Sequence, residues 1–338
     1  MDWFESLFGF RESAYPDTQS KFAADGARLT SRANGRSWSI GGFEMAPLAE
    51  LRRRAGAAGA QSGKATVRVV QGDVRKMHAS PEYAGALFQV ASQFNALEMV
   101  GPDVAPEDGV TRYQHDRTQG PACAMAAAPA LIYRNYFLPV GDGVGQTRDR
   151  QLNGIARIGA ALGAALGCPV ADLWEMRNGY ALCSRGGVEA ISARLSGLDN
   201  DAIDDLRGLL SIAIQRGVEV TEPGAPVAHL VSQAFCSALP VAYTRVPSTS
   251  WKPFATLVLE AAYEATLLEA VVNAGRGQSN IVLLTFLGGG AFGNDDAWIR
   301  AAIEFALRRV SCYSLDILVV SYRQPSHEMR HWVRSLNC

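Results

Sequence analysis

Apolar positions at Phe254, Leu257, Val258, Ala261, Ala265, Leu268 and Val272 recur at helical spacing, which predicts one long helix. A short uninterrupted apolar run, Ile281 to Leu287, then reads as a buried strand, followed by a helix over 297–310 and a strand over Asp316 to Ser321. Upstream, Thr66 to Val70 and Ala86 to Val90 predict two further strands, and His229 to Tyr243 is apolar and β-like. The Ala-rich segment from Gln119 to Tyr136 predicts a helix, with Pro121 suited to a first helical position and Pro129 expected to kink or end it. Leu152 to Gly167 predicts another helix and Tyr180 to Cys183 another strand. Strands alternating with helices predict an α/β sandwich with a largely parallel sheet.

Domain boundaries follow from changes in this texture. Residues 1–63 are mixed and end in an Arg-, Ala- and Gly-rich stretch, Leu51 to Gly63, that predicts a helix and a flexible link, so this part is expected to be an N-terminal extension packed on or linked to the core. Residues 64–338 are expected to form the main domain, interrupted by an insertion at about 144–225.

Composition narrows the setting. A chain of 338 residues with 48% hydrophobic residues can bury a large core. Lys plus Arg total 32 against 33 Asp plus Glu, so no overall field draws in nucleic acid or an anionic membrane, and an anion must be held by local geometry. Cys123, Cys168, Cys183, Cys236, Cys312 and Cys338 form no CxxC pair or zinc spacing and read as reduced, mostly buried residues. The start Met1-Asp2-Trp3-Phe4-Glu5 lacks a basic region followed by an apolar run, and no stretch is long and apolar enough to span a bilayer, so a cytoplasmic location is the default expectation. The five histidines show no metal spacing.

The chemistry concentrates where strands end. Leu287-Gly288-Gly289-Gly290-Ala291-Phe292-Gly293-Asn294 joins a strand to a helix, leaving backbone N–H groups open at the positive end of a helix dipole, where a phosphate or diphosphate can sit. The plain alternative is a tight turn. Phe292 gains nothing from turn chemistry and is suited to covering the face of a sugar. Asp73 follows Val70-Gln71-Gly72, Asn95 ends the strand near 90, and Asp108 and Asp116 lie on a polar loop just before the helix at Gln119. On residue type alone these are turn, cap and solvated groups as readily as ligands. Cys123 near that helix start reads as a nucleophile or, lacking a His base, as a small packing residue. Gln146, Arg148 and Asn153 read as capping groups before they read as substrate contacts.

The order of these segments resembles the macrodomain family. Val70-Gln71-Gly72-Asp73-Val74, Ser92-Gln93-Phe94-Asn95, Phe235-Cys236-Ser237-Ala238-Leu239-Pro240, Ala262-Tyr263-Glu264-Ala265-Thr266-Leu267 and Gly290-Ala291-Phe292-Gly293 occur in the family's order over roughly 64–322. Within it, Gln93 to Glu98 and Glu107 to Pro121 are similar to the MavL-like ADP-ribosylhydrolases, which act on mono-ADP-ribosylated arginine, including on ubiquitin. The resemblance implies a three-layer α/β/α sandwich with a mixed, largely parallel sheet, binding ADP-ribose. It implies adenine at Asp73 and Val74, the distal ribose at Asn95 and a second phosphate loop at Gly290, Ala291, Phe292 and Gly293; with the helix-start amides of Gly120, Ala122 and Cys123, suited to a phosphate, and with Gly288, Gly289 and Asn294, these make up the expected ADP-ribose site. It puts Asp108 and Asp116 in the active site; from the residues themselves, Glu98 and Glu107 are reserve acids, and among the histidines only His115, beside Asp116, is a candidate.

The implied activity is removal of mono-ADP-ribose from arginine side chains of a modified protein, ubiquitin by kinship, with water as second substrate and no redox cofactor or essential metal. One departure argues against cleavage of poly(ADP-ribose): the region from Glu98 to Gln119 lacks the glycine triplet leading to paired glutamates, and the chain's own triplet lies in the other loop. The alternatives are a module that binds ADP-ribose or an ADP-ribosylated protein without cutting it, and a macrodomain acting on a free nucleotide or on modified nucleic acid, which the near-neutral charge disfavours.

Overall fold

The computed structural model describes residues 1–337; Cys338 lies outside the described residues. Seven strands form the central sheet. In chain order the strands used below are β1 (Gly42–Pro47), β2 (Thr66–Gln71), β3 (Leu87–Ala91), β4 (Trp174–Arg177), β5 (Tyr180–Cys183), β6 (Ser211–Glu219), β7 (Leu230–Cys236), β8 (Ile281–Leu284) and β9 (Asp316–Ser321). The sheet order is β1-β6-β7-β3-β8-β9-β2. From β7 to β2 every pair is parallel, and β1–β6 and β6–β7 are antiparallel. β4 and β5 form a separate antiparallel hairpin.

Alternation along each strand makes the two cores. Leu87, Ala234, Val282 and Ile317 face one side, while their neighbours Phe88, Phe235, Leu283 and Leu318 face the other. The principal helices are α1 (Leu48–Ala57), α2 (Val74–Ala79), α3 (Gln119–Ala126), α4 (Ala128–Ile132), α5 (Ala156–Leu166), α6 (Arg185–Ser196), α7 (Asn200–Gly208), α8 (Ser248–Gly275), α9 (Asp296–Val310) and α10 (His327–Ser335). On the first side α8 is the central helix, packed against α9, α1 and α6. α2 and α3 cover the second side. The result is the expected α/β/α sandwich with a mixed, largely parallel sheet.

Three sequence expectations change. Residues 1–63 are not one unit, because β1 is the sheet's outer strand and α1 packs on α8. Residues 1–41 instead build a small domain-like cap, with a three-stranded sheet and the aromatic cluster Phe4, Phe8, Phe22 and Trp38 packed toward Tyr113, Ile132 and Tyr136. The inserted segment ends before 225, since β6 pairs with both β1 and β7. Strand pairing between residues so distant in sequence leaves no local signature. The strand predicted to reach Leu287 stops at Leu284, where side chains take over the backbone bonds: the Thr285 N–H donates to Gln89 Oε1 at 3.2 Å and the Leu287 N–H to Tyr263 Oη at 2.9 Å. Pro129 does end the first Ala-rich helix, and α4 begins just before it after a break at Ala127.

Candidate active site

Parallel strands open their carboxyl ends on one side of the sheet, and that is where the chemistry-bearing loops meet. The loops after β2, β3, β7 and β8 line two clefts of about 280 and 570 Å3. Asp116, Thr118, Gln119 and Thr285 border both, so the two form one elongated groove.

One wall is the glycine loop. Its conformation requires glycine at 288, where φ is +74° and a Cβ would overlap Ala238. Gly288, Gly290, Ala291 and Phe292 face the smaller cleft, and the N–H groups of Gly290, Ala291 and Phe292 donate to no protein acceptor among the described residues. Gly289, Gly293 and Asn294 do not line it. Gly289 packs by Ile299, the Gly293 N–H closes a turn onto Gly290 at 3.1 Å, and Asn294 holds the loop by donating to the Leu239 carbonyl at 2.9 Å. These three shape the loop without lining the cleft.

Opposite stands the start of α3. Gln119 lashes it to the end of β3, accepting from the Ala91 N–H at 2.8 Å and donating to the Gln89 carbonyl at 2.7 Å. Gly120 packs so closely that a Cβ would overlap the Ala91 carbonyl oxygen. Thr118 caps the helix without a side-chain bond, which leaves the N–H groups of Gln119 and Gly120 without a protein acceptor among the described residues, and Pro121 carries no N–H. The Ala122 N–H is already committed to the Thr118 carbonyl, and Ala122 lines only the larger cleft. Cys123 is fully buried, lines neither cleft, and has its thiol pushed well up by burial, which removes the nucleophile reading.

The acidic groups divide. Asp116 borders both clefts at half-burial, and its carboxylate accepts the Thr118 N–H at 2.8 Å, an orientation that fixes it beside the start of α3. Asp108 lines neither cleft. It is exposed, and its carboxylate turns back to the Ala105 N–H at 2.8 Å, so the expected aspartate pair is not assembled. Glu107 accepts the Arg148 N–H, and exposed His115 contacts Gln114. Glu98 forms part of the floor of the smaller cleft. Burial pushes its carboxyl up to about 7, against the pull of Arg134 at 3.1 Å and of its hydrogen bonds. Arg134, also fully buried, donates to the Ala96 carbonyl and Gln215 Oε1 and lies 3.9 Å from the Phe235 ring centre.

Asn95 is fully buried and serves the loop itself: its Oδ1 accepts the Leu97 N–H and its Nδ2 donates to Gln151. It lines neither cleft. Gln146 braces the same turn through the Asn95 carbonyl, and Asn153 caps by accepting the Ile155 N–H. Asn95 and Phe292 nonetheless share one neighbourhood, since a Cβ on Gly179 would lie 2.6 Å from the Asn95 amide carbon and the next residue's ring, Tyr180, packs against Phe292. Asp73 and Val74 line the larger cleft, where Asp73 also caps α2 through the Arg75 N–H at 3.0 Å. The turn role of Asp73 is met there, and both residues also border open space. Arg117 and Arg323 add positive charge to that cleft.

Sequence reasoning missed the aromatic wall. Tyr180, from the β4–β5 hairpin, and Tyr243, after β7, pack around Phe292 with ring centres 5.3 and 5.7 Å away. Tyr180 lies in the inserted segment, and nothing local marks it. Gln119, directly before a Gly-Pro helix start, carried a readable signal.

No family model and no curated protein matches the chain. Among solved structures it is similar to poly(ADP-ribose) glycohydrolase from Deinococcus radiodurans in complex with ADP-ribose, at 13% identity and a TM-score of 0.44, covering 87% of this chain and 94% of that one. It is also similar to poly(ADP-ribose) glycohydrolase from Thermomonospora curvata, at 13% identity and a TM-score of 0.40, covering 92% and 94%.

Proposed function

We propose that this protein is an ADP-ribosylhydrolase that removes mono-ADP-ribose from arginine side chains of a modified protein. The observation that carries the reading is one groove in which two carboxylates, Glu98 and Asp116, share walls with an unpaired run of glycine-loop amides. The diphosphate sits between those amides and the start of α3, the adenine reaches toward Asp73 and Val74, and Phe292 covers the distal ribose. Arginine as the linkage and ubiquitin as a carrier rest on the sequence resemblance.

In this reading Glu98 and Asp116 do the work first assigned to Asp108 and Asp116. The C1″–N bond breaks with its electron pair passing to the guanidine nitrogen, and a water oxygen bonds C1″. The water proton goes to Glu98 and onward to the departing guanidine, while Asp116 faces the positive charge of the sugar and guanidinium.

The test is release of free ADP-ribose from arginine-modified protein. A base that must be ionised gives turnover that rises with pH through about 7, following the raised Glu98 carboxyl. Glu98→Gln should remove that limb and leave turnover low at every pH. A flat profile in the native protein rules out Glu98 as the base. The non-catalytic reading is favoured by one observation, the position of Asp108 outside the groove; binding of ADP-ribose with no release from any modified protein establishes it instead.

A further inference from the structure

The reading of the Asp116 groove as an active site leaves residues 1–41 without a task, yet their contacts converge on the loop that carries it. The half-buried Glu12 carboxylate accepts two consecutive backbone N–H groups, Val110 at 2.8 Å and Thr111 at 2.7 Å, and the Tyr136 hydroxyl at 2.7 Å. Gly109 makes room for it: φ there is +78°, and a Cβ would lie 2.6 Å from the carboxyl carbon. Trp3 adds a bond from its indole Nε1 to the Thr111 carbonyl at 3.0 Å.

From that anchor the hydrogen bonds lead to both acids. The Tyr113 N–H donates to the Val110 carbonyl at 3.0 Å, its own carbonyl accepts the Asp116 N–H at 3.1 Å, and its buried hydroxyl accepts the Glu98 N–H at 3.0 Å. Tyr113 thus ties the backbones of Glu98 and Asp116 to one point, and Glu12 holds that point from outside the main domain.

We infer that Glu12 is a positioning residue, and the N-terminal cap the clamp that carries it, setting the 109–118 loop so that Asp116 and Glu98 face the groove together. A charged acceptor taking two amides holds a loop far better than a neutral side chain can, since carboxamide offers one acceptor and turns an N–H against an N–H. The inference rests on the proposed reaction for its consequence, and on hydrogen exchange for its physical content.

The experiment compares native full-length protein with Glu12→Gln and Tyr136→Phe. In Glu12→Gln, amide exchange across 110–118 should quicken at least tenfold while the sheet strands keep native rates, and turnover should fall at least tenfold with ADP-ribose affinity within about threefold. Tyr136→Phe keeps both backbone bonds to Glu12 and should leave exchange at 110 and 111 within twofold; if Glu12→Gln does not fold, Trp3→Phe takes its place with the same loop-confined acceleration expected. Unchanged exchange at 110–118, or acceleration spread evenly over the sheet, overturns the clamp. A native protein that neither binds ADP-ribose nor releases it overturns the proposed function alone, because the exchange result still decides the clamp.

Discussion

Asp116→Asn should lower release of ADP-ribose from an arginine-linked substrate by about 100-fold or more while binding of free ADP-ribose stays within a few-fold. The carboxylate borders both halves of the groove, and its bond to the Thr118 N–H, the one it makes among the described residues, is retained by the asparagine carbonyl, so the loop keeps its shape and only the charge is lost. Loss of an interaction made mainly as the sugar becomes cationic lowers turnover more than affinity. Asp108→Asn serves as the contrast. Its carboxylate closes a turn on the surface through Ala105, and the change should leave turnover within about twofold, as surface polar exchanges generally do. Rates measured side by side on one modified protein decide the matter, and equal losses from both variants would show that the groove is not where the bond breaks.

Arg134→Met should destabilise the fold by roughly 3–5 kcal/mol, because it strands the buried Glu98 carboxyl and leaves Gln215 and the Ala96 carbonyl short of a donor. Methionine keeps much of the volume over Phe235, so the lost pairing dominates the lost packing. The pH dependence has a definite sign. With Arg134 present, Glu98 is already raised from 4.5 to about 7 by burial, so the stability it contributes is full below about 4.5 and is lost as pH rises through about 7. Without the opposing guanidinium the carboxyl rises further, and the penalty of ionising it extends to higher pH. The deficit of Arg134→Met relative to native protein should therefore be smaller at pH 5 than at pH 8, and adding Glu98→Gln should recover much of the pH 8 loss. Urea unfolding at the two pH values measures it. An identical deficit at both would mean that Glu98 does not feel Arg134.

The same two acids show how far local pattern reaches. Asp108 and Asp116 are alike in type, lie eight positions apart and share one polar loop, yet one caps a surface turn and the other borders the groove. The difference is made by which backbone N–H each carboxylate meets, and that depends on where the loop is pinned, by Tyr113 and by Glu12 from about a hundred residues away. Asn95 likewise sits where its segment was expected, but its amide is consumed within its own turn and by Gln151. By contrast the glycine loop was readable, since the positive φ at Gly288 belongs to the turn itself, although the Ala238 contact that also excludes a side chain there comes from far along the chain.

What the chain alone determined was its alternation of strands and helices, the long helix α8, and the strand-to-helix glycine loop, because side-chain period and backbone freedom are properties of neighbouring residues. Tertiary structure decided that β1 and β6 complete the sheet, that Tyr180 and Tyr243 enclose Phe292, and that Glu98 lies under the groove, its carboxyl buried against Arg134, where Asp108 does not line it. Those outcomes depend on burial and on hydrogen bonds between segments far apart in the chain, and a carboxylate carries no mark of its partner until the fold supplies one.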